Sequence, residues 1–125
     1  MALRIGEVAR RAGIATSAIR YYEKEGLIPI ADRRGNARVY GPDILDRLGL
    51  IELAKSAGFT IPETRRLLRG VSRRTPPGPR WRALAEKKLI EVEARITEAQ
   101  RMRSVLHAVI GCACPTFEDC TRAAC

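Results

Sequence analysis

Residues 81–110 read WRALAEKKLIEVEARITEAQRMRSVLHAVI, and this stretch decides how the chain is organised. It contains neither glycine nor proline, whereas prolines and a glycine fill residues 76–79 and Gly111 follows it. The stretch therefore predicts one uninterrupted helix of about 45 Å. Its apolar positions alternate between spacings of four and three residues, with Arg103 in the one polar position: Ala85, Leu89, Val92, Ile96, Ala99, Leu106 and Ile110.

This narrow apolar seam is typical of a two-stranded coiled coil, and a helix lying on a large core would carry a broader stripe. A chain of 125 residues has room for one small domain beside such a helix, but not for two full cores. We therefore expect a homodimer that pairs along this helix. A long helix folded back onto the N-terminal half is the alternative.

The positive charge is concentrated in the N-terminal part of the chain. Residues 1–80 hold 16 Lys or Arg against 8 Asp or Glu, whereas residues 81–125 hold 7 against 6. A basic head of this kind, with far more arginine than lysine, suits phosphates and base edges and predicts a nucleic-acid partner.

Neither a secretory signal nor a membrane span is expected. No apolar run approaches the roughly 18 residues of a membrane span, and no signal peptide opens the sequence. We therefore expect a cytoplasmic protein without a membrane partner, whose clustered cysteines serve metal or redox chemistry more readily than a disulfide framework.

Residues 3–13 and 17–25 predict two short helices that end at Gly13 and Gly26 and are joined by a tight turn. This is the helix-turn-helix pattern, in which the second helix enters the major groove of DNA. A plain helical hairpin is the alternative. The candidate DNA-contacting residues of the second helix are Thr16, Ser17, Arg20, Tyr21 and Lys24.

The next segment predicts a wing and two more helices. Residues 27–29 and 37–40 flank a polar, arginine-rich tip at residues 32–36, a pattern that indicates a β-hairpin. A third helix is expected from Pro42 onward, with its apolar positions at helical spacing. A fourth helix is expected after Thr60, which we predict to be its cap.

Five motifs within residues 3–69 resemble, in order, the signature of the MerR family of transcriptional regulators. They are Ile5-Gly6-Glu7-Val8-Ala9, Ile19-Arg20-Tyr21-Tyr22-Glu23, Gly26-Leu27-Ile28, Arg38-Val39-Tyr40 and Gly58-Phe59-Thr60. The resemblance implies a winged helix-turn-helix head, an antiparallel coiled-coil dimer and an effector site at the C-terminal end of the coil.

By the same resemblance, Arg20 and Tyr21 would contact the DNA backbone, and Arg33, Arg34 and Arg38 would do so from the wing. Ala15 stands where the family often has a capping serine, so Thr16 is expected to cap the second helix instead. Tyr22 is expected to pack in the core.

The predicted organisation is mainly α-helical and has four parts. Residues 1–69 form a winged helix-turn-helix DNA-binding domain and residues 70–80 form a linker. Residues 81–111 form the dimerisation helix, and residues 112–125 form a cysteine-rich tail that binds the effector.

The tail holds all four cysteines of the chain, Cys112, Cys114, Cys120 and Cys125, in the pattern C-x-C-x5-C-x4-C. Thiolates gathered in a short loop repel one another unless a cation or an oxidation event neutralises them. This arrangement predicts a sensor. We expect Cys112, Cys114 and Cys120 to be ligands, and Cys125 is a possible fourth ligand at a chain end that is prone to fray.

A soft metal ion is the first candidate effector. Cys112 and Cys120 bracket a seven-residue loop, as in the copper-efflux-type sensors that this family contains. Family members that read divalent ions usually add a thiolate from the start of the partner's coil, where this chain has Pro77. This departure favours Cu(I), Ag(I) or Au(I) held by Cys112 and Cys120. With Cys114 as a third thiolate, Zn(II), Cd(II), Pb(II) and Hg(II) stay open.

An iron–sulfur cluster is the second candidate effector. Cys112, Cys114 and Cys120 resemble the SoxR-type motif C-x2-C-x-C-x5-C, whose first cysteine is replaced by Val109 here. A [2Fe–2S] cluster usually needs four thiolates, so Cys125 would have to supply the last one. Metal-free thiol oxidation is a third possibility.

The resemblance implies a regulator that binds an inverted-repeat promoter as a homodimer. Effector capture would change the coil, and the heads would distort the DNA so that RNA polymerase engages both promoter elements. We expect no enzyme, because the C-x-C pattern lacks the helix N-terminus that activates a thiol in C-x-x-C oxidoreductases. A thiol oxidoreductase and a purely architectural DNA-binding protein are the rival classes.

Overall fold

A computed structural model describes residues 2–72, 74–75 and 78–122 of the chain. It forms two compact units, one up to Leu84 and the other from Ala85 onward. Its elements, in chain order, are β1 (Leu3–Arg4), α1 (Ile5–Ala12), α2 (Thr16–Lys24), β2 (Asp32–Arg34), β3 (Ala37–Tyr40), α3 (Ile44–Ser56), α4 (Ile61–Leu68), α5 (Gly78–Ile110) and α6 (Phe117–Arg122).

The first unit is built around one hydrophobic core, to which α1, α2, α3, α4 and the sheet all contribute. The turn between α1 and α2 depends on Gly13, which adopts a left-handed conformation with φ of 70° and donates its N–H to the Ala9 carbonyl at 2.9 Å. Burial of each large apolar side chain stabilises this unit by about 1.5–3 kcal/mol. The core comprises Val8, Ile19, Tyr22, Leu27, Ile28, Tyr40, Ile44, Leu48, Ile51 and Leu68. The expectation that Tyr22 packs in the core is confirmed.

The wing is a short hairpin on one edge of a three-stranded antiparallel sheet, whose strand order is β1-β3-β2. The prediction that residues 27–29 form its first strand is wrong: they lie outside the strands and connect α2 to the wing, and Leu27 and Ile28 pack in the core. The predicted tip instead supplies β2, which pairs Arg33 with Arg38 in β3. The sequence analysis also missed β1, whose Leu3 pairs with Tyr40 and which it had assigned to the first helix.

The caps of α2 and α4 differ. Thr60 and Glu63 form the predicted cap of α4 as a reciprocal capping box: Thr60 Oγ1 accepts from the Glu63 N–H at 3.3 Å, and Glu63 Oε1 accepts from the Thr60 N–H at 2.8 Å. The prediction that Thr16 caps α2 is wrong. Ala15 has the extended backbone of the cap position and Thr16 is already helical, so α2 begins without a side-chain cap.

The long helix α5 begins at Gly78, three residues before the predicted start, and ends at Ile110 as predicted. In the second unit, most apolar positions of the predicted seam are exposed: Leu89 by 55%, Ile96 by 51%, Leu106 by 56% and Ile110 by 80%. Among the helices described here, none combines the length and the apolar character that a membrane crossing needs.

Candidate metal centre and nucleic-acid interface

Three cysteine sulfurs converge at the C-terminal side of α5. The Sγ atoms of Cys112, Cys114 and Cys120 all lie within 4.8 Å of one another. Cys112 Sγ is 3.0 Å from Cys114 Sγ and 3.3 Å from Cys120 Sγ. The structure thus brings together the three described cysteines that the sequence predicted as ligands. The possible fourth ligand, Cys125, lies outside the described residues.

Two helix ends place these sulfurs. The Cys112 N–H bonds to the Val109 carbonyl at 3.2 Å, so the last turn of α5 holds Cys112. Cys120 lies within α6, and Thr116 caps that helix by accepting from the Asp119 N–H at 3.1 Å while its hydroxyl donates to the Asp119 carboxylate at 2.7 Å. The short loop 113–116 then returns the chain toward Cys112.

The cysteine cluster has donor atoms suited to a soft ion. Zn–S bonds are about 2.3 Å long, so two sulfurs on one tetrahedral ion lie about 3.8 Å apart. The observed separations of 3.0 and 3.3 Å are shorter, so the sulfurs would spread by about 0.5–0.8 Å around such an ion. Rotation of the three cysteine side chains, of which only that of Cys120 belongs to a helix, can supply this adjustment.

Two of the three cysteines, Cys112 and Cys120, are free thiols. The hydrogen bond with Cys112, followed by partial desolvation and the charge of Cys112, raises the pKa of the Cys120 thiol. Cys112 and Cys120 are therefore a pair available to an ion, and the Cys114 sulfur lies close enough to join them.

The predicted DNA-contacting residues of α2 lie on an accessible face of the helix. Ser17, Arg20 and Lys24 are exposed, and the Tyr21 ring is 47% exposed beside Tyr22. Thr16, at the first helical position, is half-buried. Hydroxyl and cationic groups on one open face can reach phosphates and base edges.

A basic cleft of about 670 Å³ lies between the start of α1, the helix α2 and the wing. Arg20, Arg33 and Arg38, all predicted from the sequence, line this cleft, and Arg34 is exposed on the wing outside it. The cleft has a further cation, Arg4, which the sequence analysis did not single out. Its position directly before the first helix is the signal that could have found it, because a helix N-terminus attracts phosphate.

Glu23 connects the recognition helix to the wing. Its carboxylate accepts hydrogen bonds from Tyr40 Oη at 2.8 Å, Arg38 Nη1 at 3.1 Å and the Ala31 N–H at 3.2 Å, and its side chain is only 12% exposed. Arg38 therefore pairs with Glu23 and also lines the cleft. The sequence analysis assigned no role to Glu23, because its partners are 8 to 17 residues away along the chain.

Two further polar contacts hold the head together. The Tyr22 hydroxyl donates to Glu52 at 2.9 Å, and burial together with this carboxylate raises the pKa of Tyr22 to about 12. The Arg47 guanidinium on α3 donates to the carbonyls of Leu27, Val71 and Leu68, and its burial lowers its pKa. These contacts join elements that are distant in sequence.

An arginine-lined cleft between a recognition helix and a wing is suited to gripping the backbone of a DNA duplex. By class, the head is therefore that of a DNA-binding regulator. Residues 3–71 match the family described as MerR HTH family regulatory protein, and residues 45–109 match the one described as MerR, DNA binding. The chain belongs to the MerR family of transcriptional regulators.

Individual relatives agree with this membership over most of their length. The chain is 33% identical to the HTH-type transcriptional activator SoxR homolog of Chromobacterium violaceum, over 93% of this chain and 79% of the relative. It is also 33% identical to the mercuric resistance operon regulatory protein of Serratia marcescens, over 86% of this chain and 74% of that relative.

A solved structure agrees as well. The crystal structure of the transcription regulator PbrR691 from Ralstonia metallidurans CH34 in complex with lead(II) superposes with a TM-score of 0.74 at 28% identity. The superposition covers 94% of this chain and 93% of that one. Both the mainly helical fold and the family predicted from the sequence motifs are therefore confirmed, and the cysteine cluster fits metal binding.

Proposed function

We propose that this chain is a homodimeric regulator that binds an inverted-repeat promoter and activates transcription when thiolates of its C-terminal loop capture a soft metal ion. The observation that carries the proposal is the convergence of three cysteine sulfurs within 4.8 Å directly after a 33-residue helix, in a chain of the MerR family. The protein would act in the cytoplasm, where RNA polymerase and thiol-reducing conditions are present.

The DNA-binding part of the proposal concerns the open face of α2 and the basic cleft. Ser17, Arg20, Tyr21 and Lys24 would meet one half-site, with Thr16 at the edge of this surface. Arg33, Arg34 and Arg38 would hold the neighbouring backbone from the wing, and Arg4 would add a contact at the start of α1. Their exposure and their shared cleft support these roles.

The dimer part of the proposal concerns α5. Leu89, Ile96, Leu106 and Ile110 are more than half exposed in the single chain, and pairing with a second copy would remove this surface from water. An antiparallel pair of such helices would fix the separation of two heads, which suits half-sites at a fixed spacing on the duplex.

The metal part of the proposal begins with Cys112 and Cys120, which are free thiols 3.3 Å apart at sulfur. Two thiolates suit Cu(I), Ag(I) or Au(I) in two-coordinate geometry. Cys114 would add a third thiolate and admit Zn(II), Cd(II), Pb(II) or Hg(II). The structurally similar PbrR691 was crystallised with lead(II), a divalent thiophilic ion.

Activation requires that the metal ion bind more tightly to the state of the dimer that distorts the promoter. A ligand with equal affinity for both states would change nothing. Bending a DNA site costs on the order of 1–6 kcal/mol, which is less than the roughly 10–16 kcal/mol that binding of a structural zinc ion supplies. The proposal therefore needs a mechanical connection from the loop to the heads.

The test uses full-length protein purified without oxygen, an operator selected by the protein from genomic fragments, and transcription in vitro with RNA polymerase. We expect the double variant Cys112→Ser/Cys120→Ser to keep operator affinity and to lose metal-dependent transcription. The matched control is Ala113→Ser, an exposed position between the candidate ligands. Metal-dependent transcription that survives in the double variant would show that the loop is not the sensor.

A redox regulator with a [2Fe–2S] cluster is the second candidate function, favoured by the similarity to the SoxR homolog. Against it, position 109 is valine, so the described residues offer three sulfurs where such a cluster usually needs four. The protein purified without oxygen distinguishes the two functions. A red-brown solution with equimolar iron and sulfide would indicate a cluster, and a colourless one that takes up one Ag(I) or Cd(II) per chain would indicate a metal sensor.

A further inference from the structure

The C-terminal end of the recognition helix is held by an arginine of another helix. Arg65, on α4, donates from Nε at 2.9 Å and from Nη2 at 2.7 Å to the carbonyl of Glu25, the residue that ends α2. The same guanidinium reaches the Glu25 carboxylate at 3.4 Å. The two elements are 40 residues apart in sequence.

The C-terminal end of α4 is held in the same way from the long helix. Arg80, in the first turn of α5, donates to the carbonyl of Arg66 at 3.4 Å and to the carbonyl of Arg69, the residue that ends α4. Both ends of this connection lie within the first unit. A guanidinium thus caps α2 from α4, and another caps α4 from α5.

A third arginine anchors both helix ends to the core. Arg47, on α3, donates to the Leu27 carbonyl at 2.8 Å, just past α2. It also donates to the carbonyls of Leu68 at 3.4 Å and Val71 at 3.1 Å, at and beyond the end of α4. Because Arg47 is half-buried and donates hydrogen bonds at both helix ends, it holds the two ends in one relative position in this structure.

These contacts form at helix ends for a physical reason. The last carbonyls of a helix have no partner within the helix and carry the negative end of its dipole. A guanidinium satisfies them with charge-assisted hydrogen bonds, and its planar fork fixes the direction of approach. When a helix moves, its arginine moves with it. As long as the hydrogen bonds stay intact, the carbonyls that this arginine holds on the neighbouring helix are displaced as well.

We propose that Arg80 and Arg65 are positioning residues that connect the long helix to the recognition helix through α4. Arg80 is exposed and moves with α5, so that its hydrogen bonds would pull on α4. Arg65 would then pass the displacement of α4 to the end of α2. The helix α5 is continuous from Arg80 to the residues that precede Cys112. The inference rests on the proposed function in so far as metal binding is what displaces α5, but the connection itself is a property of the head.

The connection is tested by hydrogen exchange of the full-length protein without metal or DNA. The amides of Glu25, Gly26 and Leu27 bond to the carbonyls of Tyr21, Glu23 and Tyr22, so they report on the end of α2. We expect Arg80→Gln, which cannot touch these amides, to speed their exchange about fivefold, the effect of losing about one net hydrogen bond. Arg65→Gln should speed it at least as much, and Arg80→Lys, which keeps the charge but not the fork, should give an intermediate value.

Arg82→Gln and Arg66→Gln are the matched controls, because each removes the same charge at an exposed neighbouring position. Both should leave exchange at residues 25–27 unchanged. Exchange in the core of α3 measures global stability and should change less than about twofold in every variant. If Arg80→Gln affects residues 66–80 alone, or speeds exchange in α3 as much as in α2, the connection does not exist.

Transcription gives the second readout. We expect Arg80→Gln to bind Ag(I) or Cd(II) as the wild type does and to keep operator affinity within about twofold, but to lose most of its metal-dependent induction. Full induction in this variant would overturn the role of Arg80 in signalling. A wild-type protein without any metal response would instead overturn the proposed function, and the exchange measurement would still decide whether the arginine connection exists.

Discussion

Glu23 on the recognition helix and Arg38 on the wing form an ion pair, with the carboxylate oxygen 3.1 Å from the guanidinium nitrogen. The same carboxylate holds the Tyr40 hydroxyl and the backbone N–H of Ala31. The wing strands β2 and β3, which already belong to the three-stranded sheet with β1, are thereby also fixed to the helix beside them. The two elements of the head that we propose to contact DNA therefore keep one relative orientation.

We expect Glu23→Ala to lower the free energy of unfolding by about 1–3 kcal/mol, because three donors lose their buried acceptor. Operator affinity should fall about tenfold as the wing loses its orientation, an effect of about 1.4 kcal/mol. Urea denaturation and operator titration measure the two effects. Glu93→Ala, at an exposed position of α5, is the control and should stay within about 0.5 kcal/mol of the wild type. An equally small effect of Glu23→Ala would contradict the role given to Glu23.

Tyr22 should make stability depend on pH in the alkaline range. Its pKa is raised from 10.0 to about 12, so the folded chain holds the phenolic proton more tightly than the unfolded chain does. This contribution, on the order of 2 kcal/mol, is complete below pH 10 and is lost as the pH rises through about 12.

The variant Tyr22→Phe should therefore lose less stability than the wild type between pH 9 and pH 12, as measured by urea denaturation across that interval. Ultraviolet titration of the tyrosinates should also lack the component with the highest pKa in the variant. Tyr21→Phe is the control, since that ring is 47% exposed. Identical pH profiles for wild type and Tyr22→Phe would contradict the raised pKa that burial and the Glu52 contact give to Tyr22.

Cys114→Ser separates two-coordinate from three-coordinate metal binding. If the free thiols of Cys112 and Cys120 suffice, the variant keeps one Ag(I) per chain with unchanged affinity. A divalent ion that needs a third thiolate, such as Cd(II), should bind at least about tenfold more weakly, since loss of even an outer partner of a metal site has that effect. Competition titrations under reducing conditions measure both affinities. Loss of Ag(I) binding in Cys114→Ser would show that two-coordination by Cys112 and Cys120 is wrong.

Ala15→Thr should stabilise the head. Ala15 is exposed and has φ of −71° and ψ of 149°, the extended backbone of a cap, but it offers no oxygen to the first N–H groups of α2. A hydroxyl at this position should add about 0.5–1 kcal/mol to the free energy of unfolding. The control is Ala15→Val, which has the same shape as threonine without the acceptor. Equal melting midpoints for the two variants would mean that the hydroxyl does not cap α2.

Features that depend on neighbours in sequence could be predicted well. The turn at Gly13, the capping of α4 by Thr60 and the helix that ends at Ile110 follow from local signals: a left-handed glycine, a hydroxyl three residues before a glutamate, and a long stretch without a breaker. The motifs of the head identified the family, and the cysteine pattern identified the three described candidate ligands. These signals act within about one helical turn, so the sequence contains them directly.

The start of the wing was predicted wrongly because local composition does not show which neighbours an apolar pair will pack against. Leu27 and Ile28 have the composition of a strand, but a neighbouring core gains more from burying them than a hairpin gains from pairing them. Composition alone does not distinguish these two uses of an apolar pair. The strand β2 consists of exposed polar residues and owes its place to pairing with β3.

The sequence by itself determined the order of the helices from α1 to α5, the family and the residue types of the candidate sites, because periodicity, capping and motif spacing act over short distances. Only the tertiary structure decided which sulfurs meet, that Glu23 holds Arg38, and that Arg65 and Arg80 bind the ends of other helices. Most of these contacts join residues 8 to 40 positions apart. Their partners are chosen by how the elements pack, since a hydrogen bond forms only where packing brings the donor and acceptor within reach.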